Sequence, residues 1–69
     1  MKRGENMAIA ENIAKLRKAK GYTQAELAEK LGIAQPNVAQ YEKGLKVPNI
    51  ITGVEMAKLL GTTCEELVN

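Results

Sequence analysis

Residues 23–44, TQAELAEKLGIAQPNVAQYEKG, predict two short helices joined by a tight turn. Thr23 and Glu26 have the spacing of a capping box, which marks the start of the first helix. Gly32 follows the last apolar residue of that helix and suits the sharp turn after it. Pro36 falls in the first turn of the second helix, where a missing N–H costs nothing. This arrangement is typical of a helix-turn-helix.

The second of these helices is predicted to expose a row of amide side chains. Val38 and Tyr41 have the spacing of core-facing residues, which leaves Gln35, Asn37 and Gln40 to face outwards. A helix fits the major groove of DNA, and glutamine can pair with the N6/N7 edge of adenine. The pattern therefore predicts a segment that binds double-stranded DNA.

The residues before this segment predict one longer helix. Ile9, Ile13 and Leu16 fall on a single helical stripe, and Asn6 is its predicted N-cap. Residues 1–5 have no periodic pattern and are predicted to be a flexible arm.

The residues after it predict two more helices. Asn49 is the predicted cap of a fourth helix that runs to Leu60, and Thr63 and Glu66 have capping-box spacing at a short fifth. No strand pattern is present. The predicted fold class is all-α, with residues 6–69 forming one compact five-helix domain.

The amino-acid composition excludes several classes of protein. The chain has 69 residues, of which 45% are hydrophobic and 26% charged, as in ordinary globular domains. It has no histidine and a single cysteine, Cys64, so a tetrahedral zinc site and a Ser-His catalytic arrangement both lack their residues. All eight acidic residues are Glu, and no pair has a catalytic context. We therefore expect neither an enzyme nor a cofactor.

Charge is uneven along the chain. Nine of the ten Lys and Arg residues lie in residues 1–49, the part that contains the predicted DNA-binding segment. Basic charge in this part of the chain favours binding to phosphates. Glu5, Glu11 and Lys15 interrupt any apolar run behind the N-terminal Lys2 and Arg3, so no signal peptide or membrane helix is predicted, and we expect a cytoplasmic protein.

Three segments carry a family resemblance: IAKLRKAKGYTQAELAEKLGI, QPNVAQYEKG and VPNIITGVEMAKLLGTTCEEL. From Ile9 to Leu67 the chain resembles the Cro and phage-repressor type of helix-turn-helix domain, also called the xenobiotic-response-element family. The resemblance implies a lambda-repressor-like fold whose helix-turn-helix is formed by helices 2 and 3.

The resemblance also implies roles for individual residues. Gln24 matches a glutamine that in relatives binds a phosphate and braces a second glutamine. Gln35 matches that second glutamine, which in relatives reads an adenine edge. The implied base contacts are Gln35, Pro36, Asn37 and Gln40; the implied phosphate contacts are Gln24, Lys43 and Lys46; and Arg17 and Glu42 form an implied structural ion pair.

Three positions depart from the family pattern. Ala34 replaces the usual Ser or Thr cap, and Pro36 replaces a polar residue. Gly53 stands where relatives place a core leucine, inside the predicted fourth helix. Either that helix starts differently, or the core is thinner than usual.

The leading hypothesis is sequence-specific binding of double-stranded DNA by a small transcriptional regulator, with repression as the predicted outcome. A homodimer on an inverted-repeat operator is expected, with Leu67 and Val68 as candidate dimer contacts. The alternative is a helix-turn-helix module that binds another protein, such as an antitoxin or an accessory regulator.

Overall fold

The computed structural model describes residues 5–68, with side chains described for residues 7–67. Within this part the chain is all helical and has no strand, which confirms the predicted fold class. The helices are α1 (Glu5–Lys20), α2 (Gln24–Leu31), α3 (Gln35–Glu42), α4 (Ile50–Leu60) and α5 (Cys64–Val68). None of these described helices has the length and apolar character needed to cross a membrane.

The start of α1 differs from the prediction. Its helical backbone begins at Glu5, so Asn6 lies inside the helix and is not its cap. Glutamate is a good helix former, and the helix therefore begins before the predicted cap. Residues 1–4, the rest of the predicted arm, lie outside the described residues.

The capping box at the start of α2 is present. The backbone N–H of Glu26 donates to Thr23 Oγ1 at 3.0 Å, and that of Thr23 donates to Glu26 Oε1 at 2.8 Å. The hydrogen bond from the Thr23 backbone lowers the pKa of Glu26, because it favours the ionised carboxylate. Gly32 then adopts a left-handed conformation, with φ 71°, and ends α2 so that the chain can turn into α3.

The starts of the later helices are as the sequence predicts. Asn49 Oδ1 accepts from the Thr52 N–H at 2.8 Å at the start of α4, and Thr63 Oγ1 accepts from the Glu66 N–H at 3.1 Å at the start of α5. At the start of α3, Ala34 provides no side-chain cap. α3 therefore begins without a side-chain hydrogen bond at its N-terminus.

The core is aliphatic and draws on every helix. Leu67 is only 3% exposed and packs in this core, while Asn12 Nδ2 donates to its carbonyl oxygen at 2.7 Å. The expectation that Leu67 contacts a second copy is therefore wrong, because α5 folds against α1 and turns this side chain inwards. The side chain of Val68 lies outside the described residues. The buried core cluster contains Ile13, Leu27, Ala28, Val38, Tyr41, Met56, Leu60 and Leu67.

Gly53 lies inside α4, which starts directly after its predicted cap. A Cβ atom built on Gly53 would meet no other atom within 4 Å. It borders an apolar groove of about 160 Å³. α4 therefore starts where the sequence predicts, and the core is thinner beside Gly53. The groove is lined by Ile9, Val47, Pro48, Asn49, Ile50, Gly53, Cys64 and Leu67.

Replacing Gly53 by alanine is expected to raise the free energy of unfolding by about 1 kcal/mol, because glycine is a poor helix residue and the site is open. Urea denaturation measures the change. Gly32→Ala is the matched control: its Cβ also meets nothing within 4 Å, but its φ is 71°. That variant should lose about 1–2 kcal/mol. A destabilised Gly53→Ala would show that the groove is not open to a side chain.

Candidate nucleic-acid interface

The outer face of α3 is the centre of the candidate interface. Val38 and Tyr41 are buried beneath it. Gln35 and Gln40 are exposed, as the spacing predicts, whereas Asn37 is half-buried; Pro36 is exposed as well. Because the inner residues hold the helix on the core, the outer face presents its amides from a rigid support.

The end of α3 is fixed by a bidentate ion pair. Arg17 Nε donates to Glu42 Oε2 at 2.6 Å, and Arg17 Nη2 donates to Glu42 Oε1 at 3.1 Å. The two side chains are only 11% and 8% exposed. Arg17 Nη1 also donates to the carbonyl of Tyr22 at 2.7 Å, in the turn before α2. The ion pair implied by the resemblance is present, and it joins α1, this turn and α3.

Gln24, the first residue of α2, is attached to the same carboxylate. Its Nε2 donates to Glu42 Oε1 at 3.0 Å. Within the described residues no hydrogen bond joins Gln24 to Gln35, so the expected brace between these glutamines is not present here. A carboxylate is a stronger acceptor than a neutral amide, which explains the choice of partner. Glu42 thus holds Gln24 beside the N-terminus of α2, where free backbone N–H groups attract anions.

The loop after α3 turns back towards α3. Gly44 has φ 76°, and the Leu45 N–H donates to the carbonyl of Gln40 at 3.0 Å. The turn brings Lys46 Nζ to 3.1 Å from Asn37 Oδ1. The family resemblance implies DNA contacts for both residues but does not predict this bond. No spacing rule signals it, since it depends on the direction in which the loop turns.

Lys43 completes the basic side of the interface. It is the C-terminal cap residue of α3, its side chain is exposed, and it makes no side-chain hydrogen bond with the described part of the chain. The only carboxylate placed among these residues, Glu42, is half-enclosed and paired with Arg17. The surface formed by Gln24, α3 and the loop after it therefore carries cationic and amide donors. Its one carboxylate within the described residues, that of Glu42, is already paired.

Residues of the described range offer no metal site: no group of three or more His, Cys, Asp or Glu is close enough to hold an ion. The chemistry available at the interface is hydrogen bonding by amides, charge attraction by lysines and shape contact by Pro36.

Comparison with known families agrees with this geometry. The family model HTH_3, described as "Helix-turn-helix", matches residues 13–67. The chain belongs to this helix-turn-helix family.

Two curated relatives illustrate the sequence likeness. The uncharacterised HTH-type transcriptional regulator y4dJ of Sinorhizobium fredii is 38% identical over 60 residues, which cover 87% of this chain and 78% of the relative. The cryptic phage CTXphi transcriptional repressor RstR of Vibrio cholerae is 36% identical over 61 residues, covering 88% and 54%. The chain spans about half the length of the second relative.

Two solved structures illustrate the likeness in fold. The biofilm master regulator SinR, in complex with DNA, is 32% identical with a TM-score of 0.82, covering 88% of this chain and 98% of that one. The restriction-modification controller protein C.AhdI from Aeromonas hydrophila is 26% identical with a TM-score of 0.82, covering 90% and 94%. Both likenesses extend over nearly the whole domain.

Proposed function

We propose that this chain is a small, non-enzymatic transcriptional regulator that binds double-stranded DNA in a sequence-specific manner and represses transcription in the cytoplasm. The observation that carries the proposal is the outer face of α3, where Gln35 and Gln40 are exposed above a buried inner face. SinR, a structural relative over the same region, is a DNA-bound regulator, and RstR is a repressor. Both support the proposal.

The proposed contacts divide into two kinds. Base edges are read by the exposed face of α3 in the major groove, while phosphate contacts fix its position on the duplex. Pro36 has no donor to offer and reads by shape or by contact with a thymine methyl. The proposed base contacts are Gln35, Pro36, Asn37 and Gln40, and the proposed phosphate contacts are Gln24, Lys43 and Lys46.

A homodimer on an inverted repeat is part of the proposal, because one small module makes few base contacts. With Leu67 in the core, other apolar residues are available to a second copy. Ile50 and Ile51, at the start of α4, are 80% and 74% exposed, and Leu45 and Val47 in the preceding loop are exposed as well. Bound at one operator, the dimer would repress by occupying it.

Lys43 provides the test of the phosphate contacts. Lys43→Ala is expected to weaken binding to all DNA sequences alike and to lower the slope of log affinity against log salt by about 1. Fluorescence anisotropy across a salt series measures both quantities. Lys58→Ala is the matched control, since Lys58 is an exposed lysine of α4 outside the interface. An unchanged slope in Lys43→Ala would remove the phosphate assignment.

The second candidate function is a protein-binding module. The exposed Ile50 and Ile51 favour it, since contiguous apolar surface marks interaction sites. On that account DNA binding should be weak, sensitive to salt and indifferent to sequence, whereas the leading proposal requires one preferred operator.

A further inference from the structure

We propose that Lys46 orients the side-chain amide of Asn37 so that the two residues present only hydrogen-bond donors to DNA, and that they thereby select guanine at the base pair they face. The inference rests on the proposed function, because it concerns the specificity of the same surface, and it changes the proposed role of Lys46 from a phosphate contact to base recognition together with Asn37.

The bond between the two side chains fixes the orientation of the amide. Lys46 Nζ lies 3.1 Å from Asn37 Oδ1. An ammonium group has donors and no acceptor, so the amide oxygen must be the atom that faces it. The Asn37 NH₂ group therefore points away from Lys46, and within residues 5–68 it donates no hydrogen bond. Its two donors are available to another molecule.

The backbone holds the two residues in register. Asn37 lies in the first turn of α3, half-buried, and its N–H donates to the carbonyl of Ala34 at 3.0 Å. The turn at Gly44 directs Lys46 back along the helix, and the bond between their side chains is exposed to solvent. The pair therefore lies on the accessible surface, in the segment that the proposal places in the major groove.

The chemistry of the pair favours one base edge. Paired reading of adenine by an amide requires its oxygen to accept a hydrogen bond from the N6 amino group. Here one of the two lone pairs of the oxygen already accepts from a cation, and the positive charge beside the other repels the amino hydrogens of adenine and cytosine. Guanine presents two acceptors, O6 and N7, in the major groove. The NH₂ group of Asn37 and the remaining ammonium protons of Lys46 match that edge.

A simpler role for the bond is to attach the loop to α3. On that account, loss of Lys46 would weaken binding to every sequence and would leave base preference unchanged. The two accounts therefore differ in the base preference, which a merely structural role does not alter.

The test is selection of bound duplexes from a randomised library by the wild type, Lys46→Met, Lys46→Arg and Asn37→Ala. Asn37→Ala identifies the base pair that this residue reads, and we expect guanine there in the wild type. Lys46→Met should lower the preference for guanine over adenine at that pair by about fivefold or more, while Lys46→Arg, a donor-only cation, should retain it. Thermal melts establish that each variant is folded.

Lys43→Met is the matched control, because it removes the same charge from the same surface without a bond to Asn37. It should weaken binding with an unchanged base preference. The inference is overturned if Lys46→Met behaves like Lys43→Met, or if the pair identified by Asn37→Ala is not guanine in the wild type. If the wild type itself enriches no sequence, the proposed function fails, and this inference fails with it.

Discussion

Replacing Arg17 by methionine is expected to lower the free energy of unfolding by about 3–5 kcal/mol, since it leaves a largely enclosed carboxylate without its cation. Glu42 is 8% exposed and, among the side chains that the structure describes, would retain only the hydrogen bond from Gln24. The carbonyl of Tyr22 would lose its donor as well. A domain of this size is stable by roughly 3–10 kcal/mol, so the variant should be close to unfolding.

Urea denaturation of the variant measures this loss, with Lys18→Met as the control. Lys18 is an exposed neighbour on α1 with the same charge, and its loss should change stability by about 0.5 kcal/mol or less. Adding Glu42→Leu to Arg17→Met should restore much of the stability, because two apolar side chains leave no buried charge. A loss of less than about 1 kcal/mol in Arg17→Met would mean that the pair acts as an ordinary surface ion pair.

Replacing Gln35 by alanine is expected to cost about 1–3 kcal/mol of binding free energy on the preferred operator and to relax the preference at one base pair. Gln35 is the first residue of α3, and its side chain is exposed and makes no hydrogen bond with the described residues. Its loss should therefore leave the fold unchanged and remove one reader of a base edge.

Affinities for the preferred operator and its three single-base variants at that position measure both effects. In the wild type the four sequences should differ, and in Gln35→Ala they should converge. Lys43→Ala is the contrasting variant, since it should weaken all four alike. If Gln35→Ala also weakens all four by the same factor, Gln35 does not read a base.

The helices and most of their ends, though not the start of α1, follow from local sequence. Thr23, Gly32 and Asn49 act through neighbours within a few residues, so their roles are visible in the sequence, and the structure has each of them in place. The pairing of Arg17 with Glu42 spans 25 residues. This ion pair was predicted from the family resemblance alone, because no local pattern indicates it.

The contacts that the sequence did not predict depend on tertiary geometry. Gln24 was expected to reach Gln35, but a charged acceptor lies within its reach once α3 ends beside α2. Leu67 belongs to the core because of how α5 folds against α1, which no periodicity in five residues can indicate. Lys46 meets Asn37 because Gly44 reverses the loop.

Selection of bound duplexes from a randomised DNA library at about physiological ionic strength tests the central claim most directly, because low salt favours non-specific binding. We expect enrichment of an inverted repeat with half-site centres about 10 bp apart, because two copies would each place α3 in the major groove. Absence of any enriched sequence would contradict it and would favour the protein-binding module.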